Sequence, residues 1–302
     1  MASSAWGRAD VLVRRGVRDF GRGLRLGSIL RTASGKTGVL LVSMIVAVAV
    51  IGPAVAPHSP NDIVGVPFTE PGGSNVLGTD FLGRDVLSRI LNGGRELLAI
   101  AVLATFVAYL IGVPLGLAIG YRRGGADIAA VGLADLIIAF PPIILALMII
   151  AGLGSGALIV AGTIAAIHVP RIVRIVRTAT IEAAAFEYVE AAVARGESSA
   201  YILRRELLPN IAVPIMADFG IRLTASVIIV SSLSFLGLGP APPSSDWGLM
   251  ISENRLGLLI QPWVVVVPAL LIGLLAIGVN LMADAYARSV GRSAEEEGTA
   301  FA

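Results

Sequence analysis

The sequence predicts an all-α polytopic membrane protein with six transmembrane helices and both termini in the cytoplasm. Composition is the first reason, because 56% of the residues are hydrophobic and only 15% are charged, whereas soluble domains carry roughly a quarter charged residues. The mean hydropathy of +0.84 agrees with this class. The second reason is a series of long uncharged runs, each able to cross a hydrocarbon core of about 30 Å as a helix.

Residues 1–37 are predicted to form a basic cytoplasmic tail, partly helical along the membrane surface. Residues 34–37 resemble the end of a phosphate-binding loop, but Leu30 stands where that loop needs a glycine. We therefore expect no nucleotide site here. The cations of the tail are Arg8, Arg14, Arg15, Arg18, Arg22, Arg25, Arg31 and Lys36.

Residues 38–56 form the first uncharged run and are predicted to be transmembrane helix 1. A secretory signal peptide has a shorter basic lead and a shorter apolar region than this segment. Residues 54–56 imitate a cleavage site, but Pro57 would then be the first residue of the mature chain. We therefore expect this helix to be retained.

Residues 57–96 are polar and rich in proline and glycine, and they are predicted to be the first external loop. Thr79 and Asp80 are candidate helix caps. The residues after them predict an amphipathic helix that lies on the outer surface. Its apolar face is formed by Val86, Leu87, Ile90 and Leu91.

Residues 97–286 are predicted to be the transmembrane core, with five further helices and a cytoplasmic loop at 178–210. The fourth span is extended to Arg174 because it is too short if it stops at Pro170, and arginines reach the head groups by snorkelling. Residues 287–302 are predicted to be a disordered cytoplasmic tail. The spans of the core are Leu97–Tyr121, Ile128–Ala151, Ala157–Arg174, Ile211–Gly239 and Trp263–Tyr286.

The distribution of basic residues predicts the orientation. With the N-terminus inside, eighteen of the 23 lysines and arginines fall in cytoplasmic segments and four in external loops, while Arg222 lies in a span. Such an excess is the positive-inside signal. The same distribution places the loop between the fourth and fifth spans in the cytoplasm.

Catalytic chemistry finds little support in the sequence. The chain has no cysteine, which excludes disulfides, thiolate metal sites and thiol catalysis, and it has only two histidines. An intramembrane serine protease would pair Ser155 with His168, but the helix between them separates them by roughly 20 Å, too far for proton transfer. Asp135 and Asp218 lie in no protease motif. We therefore expect no catalytic, cofactor-binding or metal-binding residue.

A charged island, Glu187–Asn210, separates the fourth and fifth spans. It combines a small-residue helix, a glycine that permits a turn and a proline that redirects the chain. The residues of this pattern are Glu190, Ala191, Ala192, Gly196, Leu208 and Pro209. They resemble the EAA loop of bacterial ABC-importer permeases, a cytoplasmic helix-turn-helix that docks on an ATPase subunit. Glu206 departs from the family pattern, which usually has an aliphatic residue there.

Two external segments resemble the dipeptide and oligopeptide branch of these permeases: residues 77–96, LGTDFLGRDVLSRILNGGRE, and residues 231–248, with their Ser-Ser-Leu-Ser, Pro-Pro and Trp-Gly elements. The resemblance implies the type I ABC-importer permease fold, the bacterial inner membrane and a translocation path for peptides. It implies a heterodimer with a second homologous permease, two ATPase subunits or domains and an extracytoplasmic substrate-binding protein, and no nucleic acid. ATP and Mg²⁺ would bind to the ATPase partners, and this chain would hold no cofactor.

Charged and hydroxyl side chains within the spans are candidates for the translocation path or its gate. Asp218 and Arg222 are four residues apart and can pair on one helical face. They and Asp135 are either buried structural contacts or gating and path-lining groups. Ser231 and Ser234 either permit close helix packing or line the path. These charges leave an ion-coupled secondary transporter as the alternative, although it would not explain the charged island.

Overall fold

The computed structural model describes residues 30, 32–73, 75–240 and 243–299, and the side chains of these residues except 126 and 290–299. The expectations for residues 1–29 lie outside this part of the chain. The described helices are α1 (Ala33–Val55), α2 (Val86–Arg122), α3 (Gly125–Ile138), α4 (Pro142–Leu153), α5 (Ala157–Ala183), α6 (Glu187–Ala194), α7 (Ser199–Tyr201), α8 (Leu208–Asn210), α9 (Ala212–Phe235), α10 (Trp247–Asn254) and α11 (Trp263–Thr299). A π-helix, Ile202–Leu207, joins α7 to α8, and a 3₁₀ turn, Arg255–Gly257, follows α10.

Five of these helices, α1, α2, α5, α9 and α11, are long and apolar enough to cross a bilayer. Helices α3 and α4 meet at 92°. If this bent pair is counted as one broken span, the described residues contain six candidate crossings. The segment predicted as one span, Ile128–Ala151, is thus divided into two helices, which the sequence did not predict. The break occurs before Pro142, since a residue that precedes a proline is kept out of the helical region, and Pro141 has an extended ψ of 130°.

Helix α2 joins two elements that the sequence predicted to be separate. It runs for 37 residues, so the predicted amphipathic surface helix forms its first turns and the predicted external loop ends at Asp85. Asp85 is the N-cap, and its carboxylate accepts a hydrogen bond from the Ser88 N–H at 2.8 Å. Val86 and Ile90 are buried rather than spread on a surface. The helix continues because no proline interrupts it before Pro114, and Gly93 and Gly94 serve close packing.

Helices α2 and α5 pack closely along a glycine stripe. Gly112, Gly116 and Gly120 follow one another at four-residue intervals on α2, and a Cβ at any of them would come within 2.7–2.8 Å of an α5 atom. Small residues of this kind let helix backbones approach in membranes. Helix α5 does not end at Arg174, as predicted, but extends to Ala183, and so reaches the central island.

Helix α11 packs against α1 and α9, again through small residues. A Cβ on Gly38 would lie 2.8 Å from the Gly278 carbonyl oxygen, and Gly220 faces Ala283 in the same close manner. The α11 backbone continues to Thr299, where the sequence predicted a disordered tail from residue 287. The alanine-, arginine- and glutamate-containing end of the chain has a high helix propensity, which explains the extension.

Candidate functional site

The central hairpin, Glu187–Asn210, begins with helix α6. Glu187 and Glu190 lie in its first turn, where the helix dipole favours negative charge. The helix ends at Ala194, and Gly196, just beyond it, adopts a left-handed φ of 78°. The Glu197 N–H donates to the Ala192 carbonyl at 3.2 Å and closes the turn. Gly196 therefore provides the chain reversal that the pattern predicts.

The second arm of the hairpin is irregular. Ser198 caps α7 by accepting a hydrogen bond from the Tyr201 N–H at 3.3 Å. The chain then forms the π-helix and enters α8, where Leu208 and Pro209 are half-buried. π-helices are rare and occur frequently at functional sites. No signal in the sequence indicated this one.

The two arms are held together by a small apolar core. Val189 and Ala192 from α6 pack with Ile202 and Leu207 from the second arm, and all four are buried. Ala192 is fully covered, whereas Ala191 is half-buried. Ala192 therefore belongs to the interior of the hairpin. Of the two motif alanines, only Ala191 is accessible to a partner protein.

Glu206, the residue that departs from the family pattern, is buried in the second arm of the hairpin. Only 5% of it is exposed, and its carboxylate faces the Arg195 guanidinium at 3.5 Å. The pKa of Tyr188 is raised by burial and by the negative charge of Glu206. At this position the hairpin therefore contains a polar contact between Glu206 and Arg195, where the family pattern has an aliphatic side chain.

The exposed surface of the hairpin carries one acidic residue together with apolar and aromatic side chains. Glu190 is exposed, as are Phe186 (60%), Val193 (54%) and Tyr201 (40%). Sequence reasoning missed these three residues, although large apolar or aromatic side chains inside a charged island or at its edge are themselves a signal. The adjacent groove is lined by Tyr121, Arg123, Ala184, Val189, Glu190 and Val193.

A polar cluster joins two spans within the membrane region. The predicted pair is present, with Arg222 Nη2 at 2.9 Å from Asp218 Oδ1. The Tyr109 hydroxyl on α2 donates to Asp218 Oδ2 at 2.6 Å. Asp218 is nearly fully buried, and Arg222 is mostly covered. The carboxylate therefore ties α2 to α9.

A second set of hydrogen bonds brings α5 into the same region. The Ser226 hydroxyl on α9 lies 2.8 Å from the Thr105 hydroxyl and 3.0 Å from His168 Nε2. All three side chains are buried. Together with the Tyr109 contact, these bonds make α2, α5 and α9 a connected polar unit.

The other candidate path residues have different surroundings. The Asp135 side chain is 52% exposed and pairs with Arg174 Nη1 at 3.2 Å. Of the two alternatives for Asp135, the buried structural contact disagrees with this exposure, and a role in the path or its gate stays a prediction. Ser231 and Ser234 are buried, and a Cβ on Gly248 would meet the Ser231 carbonyl oxygen at 2.5 Å and the Ser234 Cβ at 2.8 Å. This arrangement corresponds to the close-packing alternative.

At the end of the helix bundle opposite the central hairpin lies the outer cap, which we define as residues 57–73, 75–96 and 243–262. At its centre, Arg89 Nη1 contacts Asp80 Oδ2 at 2.7 Å and Glu253 Oε2 at 2.8 Å. Arg84 contacts the same two carboxylates at 2.7 and 3.1 Å. Asp80 and Arg89 have no exposed side-chain surface. Two acids and two bases thus form a buried network with no net charge.

Packing around Trp247 completes the cap. The indole is fully buried against Gly93 and Gly94, and its N–H donates to the Ile90 carbonyl at 3.0 Å. Asn254 accepts a hydrogen bond from the Phe81 N–H at 3.0 Å. The two external segments that carry the family resemblance are therefore in direct contact, although they lie far apart in the sequence.

Asp246 caps the first turn of α10. Its Oδ1 accepts hydrogen bonds from the N–H groups of Gly248 and Leu249 at 2.9 and 3.2 Å. Burial raises the pKa of Asp246 to about 6, although these N–H groups act in the opposite direction. Among the described residues, no three histidine, aspartate or glutamate side chains lie close enough together to hold a metal ion.

Comparison with known proteins identifies the family. The model of the family described as "Binding-protein-dependent transport system inner membrane component" matches residues 112–292, which include the central hairpin and the pair of Asp218 and Arg222. The chain belongs to this family. It is thus a multi-pass inner-membrane permease subunit, as the EAA-like motif predicted.

Relatives of this permease cover nearly its whole length. It is 35% identical over 277 residues to the glutathione transport system permease protein GsiD of Pectobacterium atrosepticum, covering 91% of this chain and 90% of the relative. It is 36% identical over 250 residues to the GsiD protein of Escherichia coli O157:H7, with 82% of each chain covered. These relatives are permease subunits of transport systems.

A solved structure supports the fold of the permease. A chain of the methionine ABC transporter MetNI in an inward-facing conformation superposes with a TM-score of 0.52 at 20% identity, covering 66% of this chain and 96% of that chain. The prediction of the type I ABC-importer permease fold is confirmed.

Proposed function

We propose that this permease forms the translocation path for peptides of the dipeptide and oligopeptide class and is driven by ATPase subunits that bind its central hairpin. The observation that carries the proposal is the preformed hairpin, which exposes Glu190 together with Phe186 four residues before it and Val193 three residues after it. Tyr201 is exposed on the second arm. Exposed apolar side chains rimmed by charges are typical of protein interaction sites. ATP and Mg²⁺ bind to the ATPase partners, and this chain does not hydrolyse ATP.

The partners follow from the same architecture. The family description names dependence on a binding protein, which favours an extracytoplasmic substrate-binding protein above the outer cap. A second homologous permease completes the path as a heterodimer, and each permease contacts one ATPase domain. The cargo class is supported by the relatives, whose names specify glutathione, a peptide. The ion-coupled secondary transporter finds no support in these comparisons.

Asp218 and Arg222 are the strongest candidates for a gate in this path. Their pair is joined by the Tyr109 hydroxyl, so α2 and α9 cannot separate without breaking charge-assisted hydrogen bonds. Asp135 is a weaker candidate because it pairs with Arg174 at an exposed position. Ser231 and Ser234 are weaker because they pack against the outer cap.

The coupling step is tested in the complete transporter reconstituted into proteoliposomes. Glu190→Lys and Val193→Asp change exposed hairpin positions, and we expect each to reduce ATP-driven uptake of radiolabelled glutathione and dipeptides at least tenfold. Asp284→Lys, the same reversal of an acidic charge at an exposed α11 residue outside both the hairpin and the outer cap, is the control and retains uptake. ATP hydrolysis stimulated by the binding protein is measured in parallel, since it reports coupling whatever the cargo.

Normal uptake and normal ATPase stimulation in both hairpin variants would contradict the proposal. Uptake driven by an ion gradient in the absence of ATPase subunits would contradict it as well. Failure to transport either peptide, with intact coupling of ATP hydrolysis, would revise the cargo class alone.

A further inference from the structure

We infer that the leucine loop, Leu256–Ile260, inserts into the outer leaflet of the bilayer and, with Trp263, seats the outer cap on the lipid. The inference depends on the membrane topology and is independent of the cargo. The leucine loop itself lies outside the candidate crossings and outside the central hairpin.

The leucine loop exposes an unusual amount of apolar surface. Leu259 is 97% exposed and Leu256 is 87% exposed, and Leu258, Ile260 and Trp263 are exposed by 42–62%. The side chains are consecutive in the chain apart from the buried Gly257 and Gln261 and the exposed Pro262. Contiguous apolar surface of this kind marks an interaction site with a protein or a membrane.

The backbone of the loop is held in place, so that its leucines are presented outward. Gly257 lies directly against the Phe68 ring, where a Cβ would overlap the ring. The N–H groups of Ile260 and Gln261 both donate to the Gly257 carbonyl, at 3.0 and 2.8 Å. Gln261 is buried and donates to the Leu77 carbonyl at 2.6 Å. The exposed side chains are therefore a fixed feature of the cap.

Continuity with α11 identifies lipid as the occupant. No charged residue occurs between Leu256 and Ala283, a stretch longer than the ~20 residues that a span requires. Trp263 opens α11, and tryptophan favours the membrane–water interface. Because Leu259 lies four residues before Trp263, the two Cα atoms are at most about 14 Å apart. The loop therefore lies close to the outer interface, within about 14 Å of the tryptophan that marks it.

The charge next to the loop fits the same occupant. Arg255 is exposed immediately before Leu256, and a long basic side chain can reach lipid phosphates while its neighbours enter the apolar region. An apolar loop flanked by one cation and one tryptophan has the composition of an interfacial membrane segment.

Site-directed spin labelling tests the inference, since the chain has no cysteine. The full transporter carrying Leu259→Cys is labelled with a nitroxide and reconstituted in phosphatidylethanolamine–phosphatidylglycerol vesicles. Collision rates are measured with oxygen, which concentrates in lipid, and with a water-soluble nickel chelate. Leu40→Cys on the exposed face of α1 and Glu70→Cys on the external loop are the lipid and water references.

We expect the Leu259 nitroxide to resemble the Leu40 nitroxide, with an oxygen-to-nickel collision ratio at least fivefold above that at Glu70. A ratio equal to that at Glu70 would place the loop in water and overturn the inference. Loss of collisions with both reagents would show that a protein partner covers the loop, and would overturn it equally. Leu256→Cys repeats the measurement at a second position of the same loop.

Discussion

The outer cap and the central hairpin are both built around charged residues, but they treat those charges in opposite ways. In the cap, Asp80 and Arg89 are fully buried and paired with Arg84 and Glu253. In the hairpin, Glu190 is exposed, and the Arg195 side chain is 54% exposed even though it lies near Glu206. The buried charges of the cap are paired within this chain, whereas the hairpin leaves charged and apolar groups for another molecule.

This difference separates structural from functional use of charge. A buried ion pair contributes little net stability, but removal of one partner is costly because the other charge stays buried. An exposed pair contributes little in either respect. We therefore expect substitutions in the cap to act mainly on stability and substitutions on the hairpin face to act mainly on coupling.

Asp80→Asn should have the largest effect, because it leaves the Arg84 and Arg89 guanidinium groups with only Glu253 as a carboxylate partner. We expect a loss of about 3–5 kcal/mol in unfolding free energy, measured by denaturation of the purified permease in detergent. The control is Asp135→Asn, which removes an exposed pair and should cost less than about 1 kcal/mol. Equal losses in the two variants would remove the distinction between buried and exposed charges.

Asp246→Asn should have an intermediate effect that depends on pH. The pKa of this carboxyl is raised from 3.8 to about 6 in the folded chain, so its contribution to stability is fully present below pH 4 and is lost as the pH rises through 6. Asparagine also caps helices well and does not titrate. Relative to the variant, the natural chain should lose roughly 2 kcal/mol between pH 4 and pH 8, measured by thermal unfolding in detergent. A constant difference across this range would contradict the prediction.

Gly196→Ala should have the smallest effect on stability, about 1 kcal/mol, because the φ of 78° disfavours a residue with a Cβ and nothing lies within 4 Å of the new methyl group. Its effect on coupling should be larger, since the turn sets the geometry of the exposed face. Gly162→Ala, in α5 and equally open, is the control for an added methyl group. The measurements are thermal unfolding and ATP hydrolysis stimulated by the binding protein. If the stimulation of ATP hydrolysis is unchanged in Gly196→Ala, the turn does not set the geometry of the exposed face.

Local patterns predicted the features that depend on neighbouring residues. Spacing of four residues predicted the pair of Asp218 and Arg222, and the pair is present. The island between the fourth and fifth spans predicted a hairpin that turns at Gly196, and the φ of this residue agrees. The composition and the EAA-like motif together predicted the permease fold, which the MetNI comparison supports.

Features that depend on distant residues were missed or misread. Asp80 was expected to cap a surface helix, but it lies in a network with Glu253, more than 170 residues away. Ala192 was expected at a partner surface, but Ile202 and Leu207 cover it. For Asp135 the sequence left a buried contact and a path-lining role open, and the structure places it beside Arg174 at an exposed position.

The amino-acid sequence by itself determined the membrane class of the protein and, through the resemblance of its EAA-like loop, its family, because hydropathy and motif spacing are read over a few residues at a time. The tertiary structure alone decided which charges are buried, which motif residues face inward and where a span breaks. Those outcomes depend on packing between helices that meet only after the chain has folded, and no local pattern records which side chains they bring together.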